Sequence, residues 1–186
     1  DRVFGTIISA PGLGSKRGAL ATEICVKETE IASMPSNIDF LHGSVLGVSS
    51  LTVGGAFRKI NIGNKDTIVI SGASGGIGSI AVQYAVSKGV RVIGIASAGN
   101  ADYLRSIGAI PISYHESIKE KIQELSGVTV TKMLDCYGGD YVKLGFQLGL
   151  RGDQIATLVP SPSAILKGAQ FTGPRHSQYD DLDWKS

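Results

Sequence analysis

The sequence predicts an α/β chain: a doubly wound parallel sheet, preceded by a shorter β-rich segment. Three observations carry this. From Asp66 onward, apolar runs of strand length alternate with segments of helical period, the order that builds a parallel sheet with helices on both faces. A glycine-rich turn, Ser71-Gly-Ala-Ser-Gly-Gly-Ile-Gly78, lies directly between the first of those strands and its helix. Before about residue 50 the chain is irregular, broken at Pro11-Gly12-Leu13-Gly14 and at Pro35-Ser36-Asn37, which is turn chemistry.

Taken in order, Val3–Ile8 and Ala19–Val26 read as strands. Asp39 to Ile60 is a longer apolar stretch expected to hold two short helices. Thr67–Ser71 is a continuous apolar run, as a strand covered on both faces requires. Ile77, Ile80, Ala81, Tyr84 and Ala85 recur at helical spacing and predict one buried face, with Gly89 ending the helix. Val90–Ala96 is the next strand, and Ala101–Ile107 a short helix ending at Gly108. Ile110–Ser113 is a strand that Pro111 assigns to an edge. Glu116–Leu125 and Tyr141–Leu148 read as helices; Lys132–Asp135, Gln154–Val159 and Leu166–Phe171 read as strands.

Composition excludes several function classes. The chain has 186 residues, enough for one domain or one domain with part of a second. At 42% hydrophobic and 18% charged it is neither a disordered tail nor a charged coiled coil. A net charge of +2 is too small to argue for nucleic acid. No run of about 18 apolar residues occurs, so no membrane span is expected. Cys25 and Cys136 are the only cysteines and form no CxxC, which argues against a disulfide scaffold or a cysteine-rich zinc lobe. The chain starts at Asp1 and stops in the polar stretch Asp180–Ser186, so a fragment is expected. The expected setting is reduced and cytoplasmic.

The glycine loop is the strongest local signal. A helix N-terminus presents unpaired N–H groups and the positive end of the helix dipole, and so receives a phosphate. Glycines let the backbone approach a pyrophosphate and let helix and strand pack closely. No Lys closes the loop, so a nucleoside-triphosphate loop does not fit. A tight turn without a ligand is the alternative. Gly72, Gly76 and Gly78 match the TGxxxGxG of short-chain dehydrogenases, and Tyr84-Ala-Val-Ser-Lys88 looks like their YxxxK pair. That match is rejected, because Tyr84 falls on the apolar stripe of the first crossover helix and reads as core.

A second resemblance covers almost the whole chain. Asp1-Arg-Val-Phe-Gly5, Gly18-Ala-Leu-Ala-Thr-Glu-Ile-Cys-Val26, the stretch Leu46–Phe57, the run Asp66–Tyr84, Leu104-Arg-Ser-Ile-Gly-Ala109 and Leu134-Asp-Cys-Tyr-Gly-Gly139 together resemble the medium-chain dehydrogenase/reductases, in their quinone-oxidoreductase-like branch. The resemblance implies a partial GroES-like catalytic segment over residues 1–45 and a Rossmann-type dinucleotide-binding domain over 46–186. It also implies a small-molecule substrate and a homodimeric full-length protein.

Residue roles follow from the same resemblance. Ser74, Gly75, Gly76 and Ile77 are expected at the pyrophosphate. Thr52 and Ile77 are expected on one face of the nicotinamide, and Leu158 and Val159 near its carboxamide. Tyr114 is expected near the adenosine. Asp135 is expected to be structural. Val48 falls where many relatives place a zinc-ligating Cys, and valine cannot ligate. His42, His115 and His176 are scattered and read as surface residues. A zinc-independent enzyme is therefore expected, and no general acid can be named.

The dinucleotide follows from the end of the second strand. NAD-preferring relatives carry an acid there, about 20 residues past the loop, for the ribose hydroxyls. Ser97 stands at that place, followed by Ala98-Gly99-Asn100. Ser97 and Asn100 favour NADP(H). The expected reaction is hydride transfer to a quinone or an α,β-unsaturated carbonyl. An NAD(H)-dependent alcohol dehydrogenase relative and a non-catalytic nucleotide-binding redox sensor are the alternatives.

Overall fold

The computed structural model describes residues 1–6, 20–159 and 161–172. The turn-rich loop at Pro11–Ser15 and His176 lie outside these residues.

The N-terminal strand β1 (Val3–Gly5) pairs antiparallel with β2 (Ile31–Ser33). Residues 20–27 form no strand, against the expectation for Ala19–Val26. A strand needs a neighbouring ladder, and β2 occupies β1 instead; Leu20 and Ile24 stand exposed. One helix, α1 (Phe40–Lys59), replaces the two short helices expected over 39–60. Asp39 caps it, its carboxylate accepting from His42 N at 2.8 Å. Gly43 and Gly47 within it are points of close approach. A Cβ at Gly43 would lie 2.6 Å from Met34 Sδ, and one at Gly47 would lie 2.6 Å from Gly5 O. They seat β1 and β2 against the first half of α1, which runs through the boundary expected at 45/46. By length and composition α1 is also apolar enough to cross a membrane, although no unbroken apolar run occurs. In this fold Val53, Ala56 and Phe57 are core residues.

The remainder is a six-stranded, all-parallel sheet in the order β5-β4-β3-β6-β7-β8. Its strands are β3 (Thr67–Ser71), β4 (Arg91–Ala96), β5 (Ile110–Ser113), β6 (Lys132–Asp135), β7 (Ile155–Thr157) and β8 (Gln170–Phe171). The helices are α2 (Gly76–Ser87), α3 (Ala101–Ser106), α4 (Ile118–Glu124), α5 (Tyr141–Gln147) and α6 (Pro162–Leu166). β5 is outermost, as Pro111 requires. The expected strand at Leu166–Phe171 shortens to β8, because Ser161 caps a helix there and Pro162 opens it.

The strand period of two builds two cores. Ile68, Ile70, Val92, Leu134 and Ala156 face α1, α2 and α3. Val69, Ile93, Ile95, Met133 and Ile155 face α4, α5 and α6. Successive residues point to opposite faces, and both faces are covered. The chain winds outward from β3 to β5, returns, and winds the other way from β6 to β8. The switch point therefore lies between β3 and β6, and in such sheets the ligand crevice lies outside the carboxyl ends of these strands.

α2 packs through small residues: Gly78, Ala81, Val82 and Ala85 are buried. Tyr84 is not core, contrary to expectation. It is 42% exposed, its ring 5.8 Å from Phe57 and beneath the Lys88 ammonium. The small stripe lets α2 lie so close to the sheet that a large ring fits only at its rim. A Cβ at Gly78 would lie 2.9 Å from both Ala73 Cα and Gly72 C, rigid backbone that cannot yield cheaply. Gly78→Ala is therefore expected to lower the unfolding free energy by about 1–3 kcal/mol. Urea denaturation measures it, and an unchanged midpoint would contradict this packing.

Candidate functional site

β3 ends at Ser71, and the chain turns at Gly72 with φ +60, a left-handed conformation that suits glycine. Gly75 N donates to Gly72 O at 2.9 Å and closes the turn. Gly75 then becomes the N-cap of α2 without a side-chain cap. The first N–H groups of α2, from Gly76 onward, have no partner within the helix and face the crevice end of the sheet. Ile77 is half-buried against the α1–α2 core.

Three expected residues meet beside this loop. The Asn100 side-chain amide donates to Ser74 Oγ at 3.1 Å and to Ser97 Oγ at 2.9 Å. The fold has joined the glycine loop to the turn after β4. Asp102, the nearest acid along the chain, is paired with Arg105 at 2.7 Å on the exposed face of α3. Tyr114 continues the β4–β5 ladder, its N–H donating to Ala96 O at 3.0 Å. Its half-exposed ring packs on His115 with centroids 4.3 Å apart. Thr52 is half-buried on α1, and its hydroxyl donates back to Val48 O at 2.8 Å.

The other half of the edge is organised by Asp135, the last residue of β6 and fully buried. It accepts from Ser71 Oγ at 2.6 Å, Gly138 N at 2.9 Å, Tyr137 N at 3.1 Å and Thr157 Oγ1 at 2.9 Å. Leu158 N donates to Asp135 O at 2.9 Å. Val159 N and O each lie 3.1 Å from Thr157 Oγ1. Leu158 and Val159 are thereby held at the carboxyl end of β7.

Sequence reasoning missed Ser71 and Thr157, and with them the clamp around Asp135. One signal was present: β3, β6 and β7 each close on a polar residue after an apolar run. Tyr137 was also missed. It is 72% exposed after β6, edge-on to Tyr141 at 5.8 Å, and its Cβ would lie 3.6 Å from a Cβ at Gly72. Burial chiefly raises the Tyr141 phenol above its ordinary pKa, and the phenol of Tyr137 and the carboxyl of Asp135 add to it. Burial likewise pushes the Cys136 thiol up to about 12, with Asp135 second.

A parallel sheet with a glycine turn at its switch point defines a Rossmann-type dinucleotide-binding domain. Residues 76–158 match the family model for zinc-binding dehydrogenases. The chain is 29% identical to a zinc-type alcohol dehydrogenase-like protein of Schizosaccharomyces pombe, over 98% of the chain and 55% of the relative. It is 33% identical to a trans-enoyl reductase of Cochliobolus carbonum, over 62% of the chain and 42% of the relative. The Escherichia coli quinone oxidoreductase solved with NADPH superimposes with a TM-score of 0.61 at 25% identity, covering 78% of the chain and 49% of that structure. The chain thus spans about half the length of the proteins it matches. These likenesses support the medium-chain dehydrogenase/reductase superfamily, and within it the quinone-oxidoreductase-like branch.

The raised thiol makes Cys136 a protonated, unreactive group at neutral pH. An ordinary thiol ionises near about 8.5. Iodoacetamide at pH 8 is therefore expected to spare Cys136 in the native protein and to modify it after denaturation. Peptide mass spectrometry reads the difference; rapid native labelling would show the thiol is not held as described.

Proposed function

We propose that the chain is the cofactor domain, with part of the catalytic domain, of a zinc-independent, NADP(H)-dependent oxidoreductase whose acceptor is a quinone or an α,β-unsaturated carbonyl. The carrying observation is the Ser74–Ser97–Asn100 group. Asn100 spends its two amide hydrogens on the two hydroxyl oxygens. Each serine hydrogen is then left to donate outward, toward a 2′-phosphate. No carboxylate stands at the end of β4 to repel that phosphate, and Asp102 is engaged by Arg105. The structural relative solved with NADPH supports the same reading.

In this reading the N–H groups of Gly76 and Ile77 receive the pyrophosphate. Thr52 and Ile77 bound one face of the nicotinamide, and Leu158 and Val159 hold its carboxamide. Tyr114 borders the adenosine. When bound, the reduced nicotinamide supplies a hydride. The described residues gather no ligand set for a zinc ion. Val48 offers no donor, and no group of three His, Cys, Asp or Glu side chains gathers among the described residues. A conjugated acceptor, already polarised, suits a site without a Lewis acid, and the enoyl reductase relative supports this choice. The alcohol dehydrogenase-like relative supports a second reading, an alcohol dehydrogenase relative, for which NAD(H) is the cofactor proposed.

Calorimetry with the full-length protein separates the two readings. Tighter binding of NADPH than NADH is expected, and Ser97→Asp is expected to shift preference toward NADH. Equal or tighter NADH binding by the parent would overturn the NADP(H) assignment. Metal analysis after dialysis is expected to find no stoichiometric zinc; one zinc per chain would refute the zinc-independent reading.

A further inference from the structure

We propose that Asp135 is a positioning residue of the cofactor site, its buried carboxylate setting the glycine loop and the Leu158–Val159 edge in register with each other. The inference rests on the dinucleotide reading above. Asp135 is fully buried, so it acts through its neighbours.

One carboxylate spans three strand ends. Oδ1 accepts from Ser71, the last residue before the glycine loop, and Oδ2 accepts from Thr157, the last residue before Leu158. Oδ1 also takes the N–H groups of Tyr137 and Gly138, closing the turn after β6. That turn touches both sides. Ser71 Oγ accepts from Cys136 N at 3.1 Å. Gly138 adopts φ +93, and a Cβ on it would lie 2.9 Å from Val159 Cγ1. Thr157 Oγ1 in turn meets Val159 N and O. The pyrophosphate end and the nicotinamide end of the crevice are thus referred to one buried group. A displacement of about 1 Å at such a site costs up to about a hundredfold in rate.

Thr157→Val and Ser71→Ala each remove one hydroxyl from the clamp, and the double variant closes a cycle. Asp135→Asn keeps the acceptor shared by Ser71, Tyr137 and Gly138. Two readouts are taken on the full-length protein. The first is amide hydrogen exchange without cofactor. The second is affinity for NADPH and for adenosine 2′,5′-bisphosphate, with kcat for hydride transfer. Thr157→Val is expected to speed exchange at Leu158 and Val159 and also across the clamp, at Cys136, Ala73 and Gly75. It is expected to lower kcat about tenfold with adenosine bisphosphate affinity unchanged. Ser71→Ala is expected to weaken both ligands. Asp135→Asn is expected to retain adenosine bisphosphate affinity while losing kcat. The double variant is expected to lose less than the product of the single losses, the mark of a shared partner. Exchange confined to the mutated strand end, or single losses that simply multiply, would overturn the proposal. A parent that binds neither dinucleotide would overturn the cofactor reading, and the exchange pattern alone would then decide the clamp.

Discussion

A carboxylate buried with no cation beside it among the described residues is the constraint on which the carboxyl edge of this sheet depends. Taking such a group out of water costs several kcal/mol. Asp135 has four donors around it, and hydrogen bonds to a charged group contribute about 1.5–3 kcal/mol each. The two magnitudes are comparable, so the group is tolerated only with its full set of partners. Those partners are the ends of β3 and β7 and the turn after β6. Satisfying the charge and aligning the strands are therefore one event, which explains why an edge made of short loops is so defined.

The glycine loop depends on that alignment and on small residues. Gly78, Ala81, Val82 and Ala85 bring α2 onto the sheet, so its N-terminal N–H groups end beside the switch point. Gly94 serves the same purpose on β4, where a Cβ would lie 3.0 Å from Ala73 Cβ and 3.2 Å from Leu104 Cδ1. On the other side α1 ties the N-terminal hairpin to the sheet. Lys59 Nζ donates to Phe171 O at 2.5 Å, joining its last turn to β8. Thr52 lies two turns earlier in the same helix, so the placement of α1 also places a residue expected at the nicotinamide.

The central strands were legible because burial on both faces writes a plain signal: Thr67–Ser71 and Lys132–Asp135 appear with the expected limits. Misreadings came where a local signal had two meanings. The apolar stretch 39–60 read as two short helices, yet it is one helix in which Gly43 and Gly47 are sites of close packing. Ala19–Val26 has strand-like residues but no ladder to join. Tyr84 has the right spacing for a core residue and the wrong size for a helix held this close. The candidate site divides in the same way. Gly75, Gly76 and Ile77 were nominated from the loop itself, which the structure forms as a turn capping α2. Asn100 was readable as a candidate, but not as the bridge between Ser74 and Ser97.

By itself, then, the sequence determined the element types, the parallel α/β class and the glycine turn between a strand and its helix. Each is a property of period, side-chain size or backbone freedom over a few residues. Only the tertiary structure decided which distant residues meet. Ser74 meets Asn100 because β4 returns beside β3, and Ser71, Asp135 and Thr157 share one carboxylate because β6 and β7 follow the reversal in strand order. Hydrophobic pattern tells a residue which face to occupy. The crossovers between strands set its neighbours, and through them the chemistry of the site.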